Sequence, residues 1–395
     1  MKRRAFLKGA ASTFILPSMG ILLGKQQAFA DALTASGLKE LYKDCFLMGT
    51  MVPLRKYLVP EPGHMAIVRK EFNSLATQNV FKWGHVHPAE REWNWTYTDR
   101  FVDFAEANGM HVVGHHLVAG SDLPTGLLLS APDKIVDEAV LRGRLENHVS
   151  TLVDRYKGRV HAWDVVNEAV DDFEQSWLRN AWFNILGPEY VERSFQLARE
   201  ADPKATLIYN DYNLSKPSKR EFVTEMLRDF KHRGVPIDAI GLQGHFSLDG
   251  GLEEFEASIE AFYEAGARIH ISELEVDVLP PAPLSVEQVE PEVMPALTQE
   301  DVHKVESTPE SMNIDPFKAG LPEDTALRLK ERYAEIFNIL IKHKDKIDRV
   351  TFWGATDDDS WKNDFPVVGR VNHPLLFDRS LNKKSAYDGV ADLKK

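Results

Sequence analysis

Two glutamates, Glu168 and Glu273, each follow a short apolar run that is typical of a β-strand near its carboxyl end. Glycoside hydrolysis needs two carboxyl groups of this kind facing one opening: one donates a proton to the leaving oxygen, and the other attacks the sugar or activates water. Their environments must differ, so that one stays protonated while the other is ionised. A solvated loop residue and a structural ion-pair partner are the ordinary alternatives. The spacing along the chain leaves retention and inversion both open.

Polar or aromatic residues also follow most of the other apolar runs: Lys82, His115, Asn167, residues 210–213, Gln243, His245 and Trp353. Asn167 can bond a sugar hydroxyl, and His245 can orient an attacking carboxylate. Tyr212, Trp353 and Trp361 offer apolar faces on which sugar rings can stack. One polar strand end is ordinary, but the repetition over seven strands indicates a single binding cleft.

The apolar periodicity predicts eight strands that alternate with amphipathic helices. The predicted strands are residues 46–51, 80–83, 111–115, 162–166, 206–209, 240–243, 268–272 and 349–353, and the helices are 99–108, 142–156, 190–201, 220–233, 252–265 and 325–343. This order favours an α/β fold, a (β/α)8 TIM barrel whose active site lies at the carboxyl ends of the strands. An open doubly wound sheet is the alternative, although no glycine-rich phosphate loop follows the first strand.

Residues 278–322 interrupt this rhythm, because they are rich in proline and acidic residues and have no sustained periodicity. We expect a long loop there, after the seventh strand and over the top of the barrel. No domain boundary is expected within it, since the helix and strand that follow must close the barrel. The predicted catalytic domain is therefore a single unit spanning residues 31–395.

Residues 1–30 are typical of an export signal, with a basic start that includes Arg3 and Arg4, an apolar stretch, and a small-x-small site at residues 28–30. The start resembles a twin-arginine signal, which is an address read by a receptor and not an anchor. We expect a periplasmic or secreted protein with no membrane attachment after the signal is removed. An uncleaved membrane anchor is the alternative.

The net charge of the chain limits the classes of partner that it can bind. It has 47 basic and 60 acidic residues, and five of the basic ones lie in the leader, which has no acidic residue, so the remainder has a formal charge of −18. Such an acidic surface repels phosphate backbones and anionic lipids. We therefore expect a polysaccharide or oligosaccharide partner and no nucleic acid. The oligomeric state stays open, and no cofactor is predicted.

No metal site is expected either. His85 and His87 could form part of one, but no third ligand has suitable spacing. The acidic triplet Asp357, Asp358 and Asp359 is more simply explained as a solvated turn.

Six motifs, in this order, resemble glycoside hydrolase family 10, the endo-β-1,4-xylanases: WDVVNEAV at 163–170, YNDYN at 209–213, GLQGH at 241–245, ISELEVDV at 271–278, FWGATDDDSW at 352–361 and LLFD at 375–378. The resemblance extends from about residue 41 to residue 387. It implies a (β/α)8 barrel and endo-acting cleavage of xylan by a retaining double displacement. Glu168 would be the acid/base and Glu273 the nucleophile.

The resemblance also implies roles for the surrounding residues. Asn167, Gln243 and His245 would bind the sugar and the nucleophile at the cleavage site. Asn79, Lys82 and His115 would hold the glycone side, with Trp353 and Trp361 lining it. Tyr212 would face the leaving sugar.

The departures from the family pattern cluster on the glycone side. Gln78 stands where the family has Glu, Ala119 and Gly120 where it has Trp and His, and Asp122 where it has Gln. Losing a tryptophan platform removes about 1 kcal/mol or more of ring contact. One alternative is therefore the same machinery acting on a different or decorated β-glycoside. A second alternative is a carbohydrate-binding protein without activity, which the intact Glu168 and Glu273 argue against.

The altered glycone side predicts weaker activity, or altered specificity, on unsubstituted xylan. The reason is the lost stacking surface and the extra space at Ala119 and Gly120. Rates on matched linear and decorated xylo-oligosaccharides measure this, and an ordinary preference for the linear chain would contradict it.

Overall fold

The computed structural model describes residues 36–120, 124–131, 134–279, 315–365 and 369–395. The predicted signal at residues 1–30, Asp122 and most of the predicted loop at 278–322 lie outside these ranges. Contacts divide the chain into Met1–Gly37 and a compact unit, Leu38–Lys395, which contains every element described below.

Eight parallel strands form a closed barrel in the order β11-β1-β2-β3-β6-β7-β8-β10, and β10 pairs with β11 to complete the ring. The barrel strands are β1 (Leu47–Met51), β2 (Ser74–Ala76), β3 (His111–Ala119), β6 (Ala162–Asn167), β7 (Thr206–Asp211), β8 (Ala239–Leu242), β10 (Arg268–Asp277) and β11 (Ile347–Phe352). The short strand β9 (His245–Ser247) pairs with the end of β10, and β4 (Leu129–Ala131) and β5 (Lys134–Ile135) form a small hairpin. The prediction of a (β/α)8 barrel is confirmed.

Helices surround the barrel and connect its strands. They are α1 (Leu38–Leu41), α2 (Leu54–Leu58), α3 (Pro62–Glu71), α4 (Trp83–Val86), α5 (Trp95–Ala107), α6 (Thr125–Leu128), α7 (Glu138–Arg155), α8 (Ala181–Leu186), α9 (Glu189–Ala201), α10 (Pro217–Arg233), α11 (Glu253–Glu264), α12 (Glu323–Lys342) and α13 (Ser385–Ala391). Each of the six helices predicted from periodicity corresponds to one of these, because its apolar stripe packs against the strands.

The second predicted strand is wrong. Residues 80–83 form a turn and the start of α4, and the strand is β2, six residues earlier. The run is apolar for another reason: the ring of Phe81 is buried and meets those of Phe101, Tyr156 and Trp163 edge to face. Short apolar runs do not distinguish a strand from a buried turn.

The two faces of the barrel strands differ in character. Their outward side chains, such as Trp163, join a core shared with the helices, and the Trp163 ring lies so close to Gly114 that a Cβ there would be 2.0 Å from it. Inside the barrel lie small residues such as Ala162 and Ala239 with Ile208. This leaves the upper interior to polar side chains, which face the carboxyl ends of the strands.

Among the residues that the structure describes, no helix combines the length and apolar character needed to cross a bilayer.

Glu71 joins the beginning of the compact unit to its end. Its side chain is buried at the end of α3, where Oε2 accepts hydrogen bonds from the Leu38 backbone N–H (2.8 Å) and the Tyr387 hydroxyl (2.9 Å). Lys383 Nζ lies 3.7 Å from Oε1. A buried carboxylate is tolerated only with such partners.

We expect Glu71→Ala to lower the free energy of unfolding by about 2–4 kcal/mol, because it leaves two buried donors without an acceptor. Chemical denaturation monitored by circular dichroism measures the change. The matched control is Glu225→Ala, which removes an exposed carboxylate within α10 and should change stability little. Equal effects of the two substitutions would contradict this account of Glu71.

Candidate active site

Glu168 lies directly after β6 in a backbone conformation that side-chain-bearing residues seldom adopt, with φ of 59°. Two neighbouring hydrogen bonds hold it there. The Glu168 N–H donates to the Asn210 carbonyl (2.9 Å), and the next N–H, of Ala169, donates to the Tyr209 hydroxyl (3.2 Å). The carboxylate is partly exposed and accepts a hydrogen bond from Gln243 Nε2 at 2.9 Å.

Glu273 lies within β10 and is far more enclosed, with 6% of its surface exposed. Its Oε1 accepts a hydrogen bond from Asn210 Nδ2 (2.9 Å), and its Oε2 lies 3.4 Å from His245 Nε2. The other ring nitrogen of His245 lies 2.9 Å from Glu275 Oε1. The two glutamates thus occupy the unequal environments that the sequence argument required.

The charges around Glu273 favour its ionised form. Burial would raise the pKa of this carboxyl, but the His245 hydrogen bond, the His115 and His245 charges and the Asn210 hydrogen bond together lower it. Burial likewise opposes protonation of His245, yet its hydrogen bonds to Glu273 and Glu275 raise its pKa to about 9. At neutral pH the site therefore contains an anionic Glu273 against a cationic imidazole.

Asn210 and Gln243 connect the two glutamates reciprocally. Asn210 accepts from the Glu168 backbone and donates from its side chain to Glu273, whereas Gln243 accepts from the Glu273 N–H through its carbonyl (2.8 Å) and donates from its side chain to Glu168. The two amides come from β7 and from the end of β8, which separate β6 from β10. Each glutamate is therefore held by the same two residues.

Asn210 is itself fixed on every side. Its Nδ2 also donates to Asn167 Oδ1 (2.8 Å), and its Oδ1 accepts from Ser272 Oγ (2.5 Å). A Cβ at Gly241 would lie 2.2 Å from Asn210 Oδ1, so only glycine fits at that position. Asn167 is buried beside this network at the last position of β6.

The predicted glycone residues surround the same network. His115 lies 2.9 Å from Asp164 Oδ2 and meets the Trp353 ring edge to face, with centroids 5.2 Å apart. Trp361 donates from Nε1 to Glu275 Oε1 (2.7 Å), and its ring lies against that of His245. The structure thus brings His115, Trp353 and Trp361 together with the two glutamates.

Asn79 and Lys82 lie in the turn after β2 and not on a strand, with the Lys82 N–H donating to the Asn79 carbonyl (2.9 Å). Gln78 is in the same turn. The Lys82 charge is close enough to contribute to lowering the pKa of His116, which burial already lowers strongly. The structure therefore places Lys82 close to His116 of β3.

The departure at Gly120, directly after β3, has a local explanation. The Ala119 carbonyl accepts a hydrogen bond from Trp182 Nε1 (2.9 Å), and a Cβ at Gly120 would lie 2.8 Å from Asn180 Nδ2. Residues from the segment around α8 thus occupy the space beside this strand end. The expectation about specificity stays a prediction.

Tyr212 directly follows the carboxyl end of β7, and its role towards a leaving sugar stays a prediction. Its backbone N–H donates to Asp211 Oδ1 (2.8 Å), and the ammonium of Lys219 lies 4.1 Å from its ring centroid. Burial raises the pKa of Asp211 to about 7, although the neighbouring Lys219 charge lowers it.

Asn210, Glu275 and Asp164, for which the sequence predicted no role, bind candidate residues directly. Two signals were available. Glu275 follows Glu273 at the two-residue period of a strand, so both side chains face the same way. Asn210 ends an apolar run just as Asn167 does, and its polarity in an interior position required a partner.

The interpretation of the acidic triplet as a solvated turn is wrong for two of its three residues. Asp357 and Asp359 are buried: Asp357 accepts from the Leu375 N–H (2.8 Å) and pairs with Lys384 (3.0 Å), while Asp359 Oδ2 lies 2.6 Å from His64 Nε2. Only Asp358 is exposed. These carboxylates connect chain segments, and within the described ranges no group of three or more His, Cys, Asp or Glu residues is arranged to hold a metal ion.

A parallel (β/α)8 barrel that holds two carboxylates in different environments, among amide and aromatic side chains, is typical of a glycoside hydrolase. The family model of glycosyl hydrolase family 10 matches residues 37–393. The chain belongs to this family and is a glycoside hydrolase.

Characterised relatives cover nearly the whole chain. The β-1,4-xylanase of Dictyoglomus thermophilum is 37% identical over 368 residues, which are 92% of this chain and 93% of the relative. The endo-1,4-β-xylanase of Geobacillus stearothermophilus is 33% identical over 359 residues, 90% of this chain and 98% of the relative.

Solved structures of xylanases are also similar to this chain. An endoxylanase of the same family, from a sugarcane soil metagenome, superposes with a TM-score of 0.82 at 41% identity, covering 91% of this chain and all of its own. A mutant of the intracellular xylanase of Thermoanaerobacterium saccharolyticum, in complex with xylotetraose, gives a TM-score of 0.75 at 28% identity, covering 90% of this chain and 98% of its own.

We expect His245→Asn to raise the pKa of Glu273, because the substitution removes a cationic partner that favours the carboxylate. The acidic limb of the kcat/KM profile should move to higher pH, and kcat/KM at neutral pH should fall about 10-fold or more. The measurement is a pH–rate profile on an aryl β-xylobioside. His343→Asn, at a buried histidine bound to Glu256 on the outside of the barrel, is the control. An acidic limb unmoved by His245→Asn would contradict this role.

Proposed function

We propose that this protein is a retaining endo-β-1,4-xylanase in which Glu168 is the acid/base and Glu273 the nucleophile. The observation that carries the assignment of roles is the contrast between the two carboxyl groups. Glu273 is buried against a cationic His245 with its pKa lowered, whereas Glu168 is partly exposed and contacts a neutral amide. An attacking carboxylate has to be ionised before the sugar binds.

The reaction proceeds in two steps. In the first, the Glu273 carboxylate attacks the anomeric carbon while Glu168 gives its proton to the glycosidic oxygen, and the leaving chain departs as an alcohol. In the second, the Glu168 carboxylate takes a proton from water, whose oxygen displaces Glu273 from the sugar. Two inversions give net retention, and no cofactor takes part.

The surrounding residues support these steps. Asn210 and His245 hold the Glu273 oxygens, so only limited rotation is left to the nucleophile. Glu275 and Trp361 in turn hold His245, and Gln243 holds Glu168. Such pre-organisation lowers the reorganisation needed in the transition state.

The proposed substrate is xylan or a xylo-oligosaccharide. The relatives that cover nearly the whole chain are named as β-1,4-xylanases, and a structural neighbour holds xylotetraose. A neutral sugar chain also suits the acidic surface, which disfavours phosphate-rich partners. Trp353 and Trp361 provide the aromatic surface beside the nucleophile.

We expect Glu273→Ala to lower the rate of xylotetraose hydrolysis about 10³-fold or more, because it removes the attacking carboxylate, and Glu275 binds the opposite ring nitrogen of His245. Proton NMR of the first product should give the β-anomer for the unaltered protein. Glu225→Ala serves as the control for the substitution itself.

Three results would count against the proposal. An α-anomer as first product would exclude the retaining mechanism. Full activity of Glu273→Ala would exclude its role as nucleophile. If the unaltered protein bound xylo-oligosaccharides in calorimetry and cleaved none, a binding protein would be the better description.

We further propose that the protein acts outside the cytoplasm, because residues 1–30 combine Arg3 and Arg4 with an apolar stretch and a small-x-small site. Fractionation of cells that express the full chain tests this. Exclusive recovery of the uncleaved chain from the cytoplasm would contradict it.

A further inference from the structure

The ammonium group of Lys219 is buried beside Tyr212, the residue proposed to face the leaving sugar. Its side chain is fully enclosed in the first turn of α10. Nζ lies 2.8 Å from Asp211 Oδ1, 3.3 Å from Asp172 Oδ1 and 4.1 Å from the centroid of the Tyr212 ring. One cation thus contacts three residues near the carboxyl ends of β6 and β7.

The contact with Tyr212 determines which face of the ring is available. A cation over an aromatic ring is attracted to its electron-rich face. Since Lys219 covers one face of Tyr212, a sugar ring can stack only on the other. The Tyr212 backbone N–H is held by the same carboxylate, Asp211, that Lys219 binds.

A second path leads from Lys219 to the backbone of Glu168. Asp211 Oδ2 accepts a hydrogen bond from the Tyr209 hydroxyl (2.6 Å), and that hydroxyl accepts one from the Ala169 N–H (3.2 Å). Ala169 directly follows Glu168, whose φ of 59° needs support from its surroundings. Lys219 therefore supports, through two intermediate side chains, the backbone conformation of the acid/base.

A third contact secures the loop that follows Glu168. Asp172 accepts hydrogen bonds from Asn213 Nδ2 (2.8 Å) and Lys216 Nζ (2.6 Å), in addition to its contact with Lys219. Lys216 is 43% exposed, and its ammonium pairs with Asp172 and lies over the Phe173 ring. The two lysines therefore differ in what they reach, although both bind Asp172 from neighbouring positions of the chain.

The energetics indicate that Lys219 does more than pair charges. Removing an ammonium from water is costly, and paired buried charges are often replaceable by apolar side chains with no loss of stability. A buried cation that contacts a sugar platform and supports an acid through hydrogen bonds has a role that an apolar side chain cannot supply.

We propose that Lys219 is a positioning residue that holds the Tyr212 platform and the Glu168 backbone in register, so that a sugar in the leaving position is protonated efficiently. The proposal rests on the proposed function, in which Glu168 protonates the glycosidic oxygen. It assigns to Lys219 no contact with the substrate and no proton transfer of its own.

Substrates with different leaving groups distinguish this positioning role from a general effect on the structure. A sugar leaves as an alcohol only if Glu168 delivers a proton and the ring sits on Tyr212. Fluoride leaves without a sugar and needs little help from an acid. For xylobiosyl fluoride, kcat/KM reports the attack of Glu273 alone.

The experiment compares kcat/KM of Lys219→Met on xylotetraose and on β-xylobiosyl fluoride. We expect a fall of about 10-fold to 100-fold on xylotetraose and less than about 3-fold on the fluoride. Glu225→Ala, at an exposed position of the same helix, should leave both values close to those of the unaltered protein.

Tyr209→Phe is a second variant that removes one hydroxyl and keeps the buried charges. It interrupts the path from Asp211 to the Ala169 N–H, so it should reproduce the selective loss on xylotetraose at a smaller size. This variant still tests the proposal if Lys219→Met does not fold.

Equal losses on the two substrates, or no loss on either, in a folded Lys219→Met would overturn the proposal. If only Tyr209→Phe folds, the same two results for that variant would overturn it. The unaltered protein separates the two hypotheses: if it cleaves neither substrate, the proposed function fails, whereas if it cleaves both, only the role of Lys219 is in question.

Discussion

The two candidate catalytic carboxyl groups depend on one constraint, the reciprocal bonding through Asn210 and Gln243. Each amide residue binds one glutamate through its backbone carbonyl and the other through its side chain. The closed strand order makes this possible, because β7 and β8 lie between the strands that carry Glu168 and Glu273. A shift of either strand would therefore displace both carboxyl groups together. The requirement for Gly241 beside Asn210 belongs to the same constraint, since any side chain there would displace the amide.

The two glutamates differ in their burial and in the charges around them. Glu273 is enclosed and would resist ionisation by burial alone, but the cationic His245 and the Asn210 amide reverse that preference. Glu275 completes the arrangement, since its carboxylate keeps His245 protonated through neutral pH and accepts the Trp361 indole N–H. Buried polar groups stabilise a fold only when each has its partners, and these contacts provide partners for Glu273, His245 and Glu275. Lys219 and Asp211 form a second buried pair.

Several acidic residues are buried and bind to other segments of the chain. Asp357 receives the Leu375 N–H and the Lys384 ammonium, and Asp359 binds His64 from a distant helix. Glu71 joins Leu38 to Tyr387 in the same manner. Each of these contacts links segments far apart in the chain, so they fix the outer connections of the barrel and leave the strand ends free for chemistry. A barrel of this size accommodates buried carboxylates wherever backbone N–H groups and basic side chains converge on them.

The sequence by itself determined the alternation of strands and helices, the barrel, and the location of two glutamates at its strands, because period and residue type are local properties of the chain. Only the tertiary structure decided that residues 80–83 are a buried turn, since an apolar run is compatible with either conformation and the neighbouring rings choose between them. The tertiary structure also decided which partners the buried side chains of Asn210 and Asp357 bind. Whether a polar side chain meets water, a backbone N–H or a charged partner depends on residues tens or hundreds of positions away, and no local pattern contains that information.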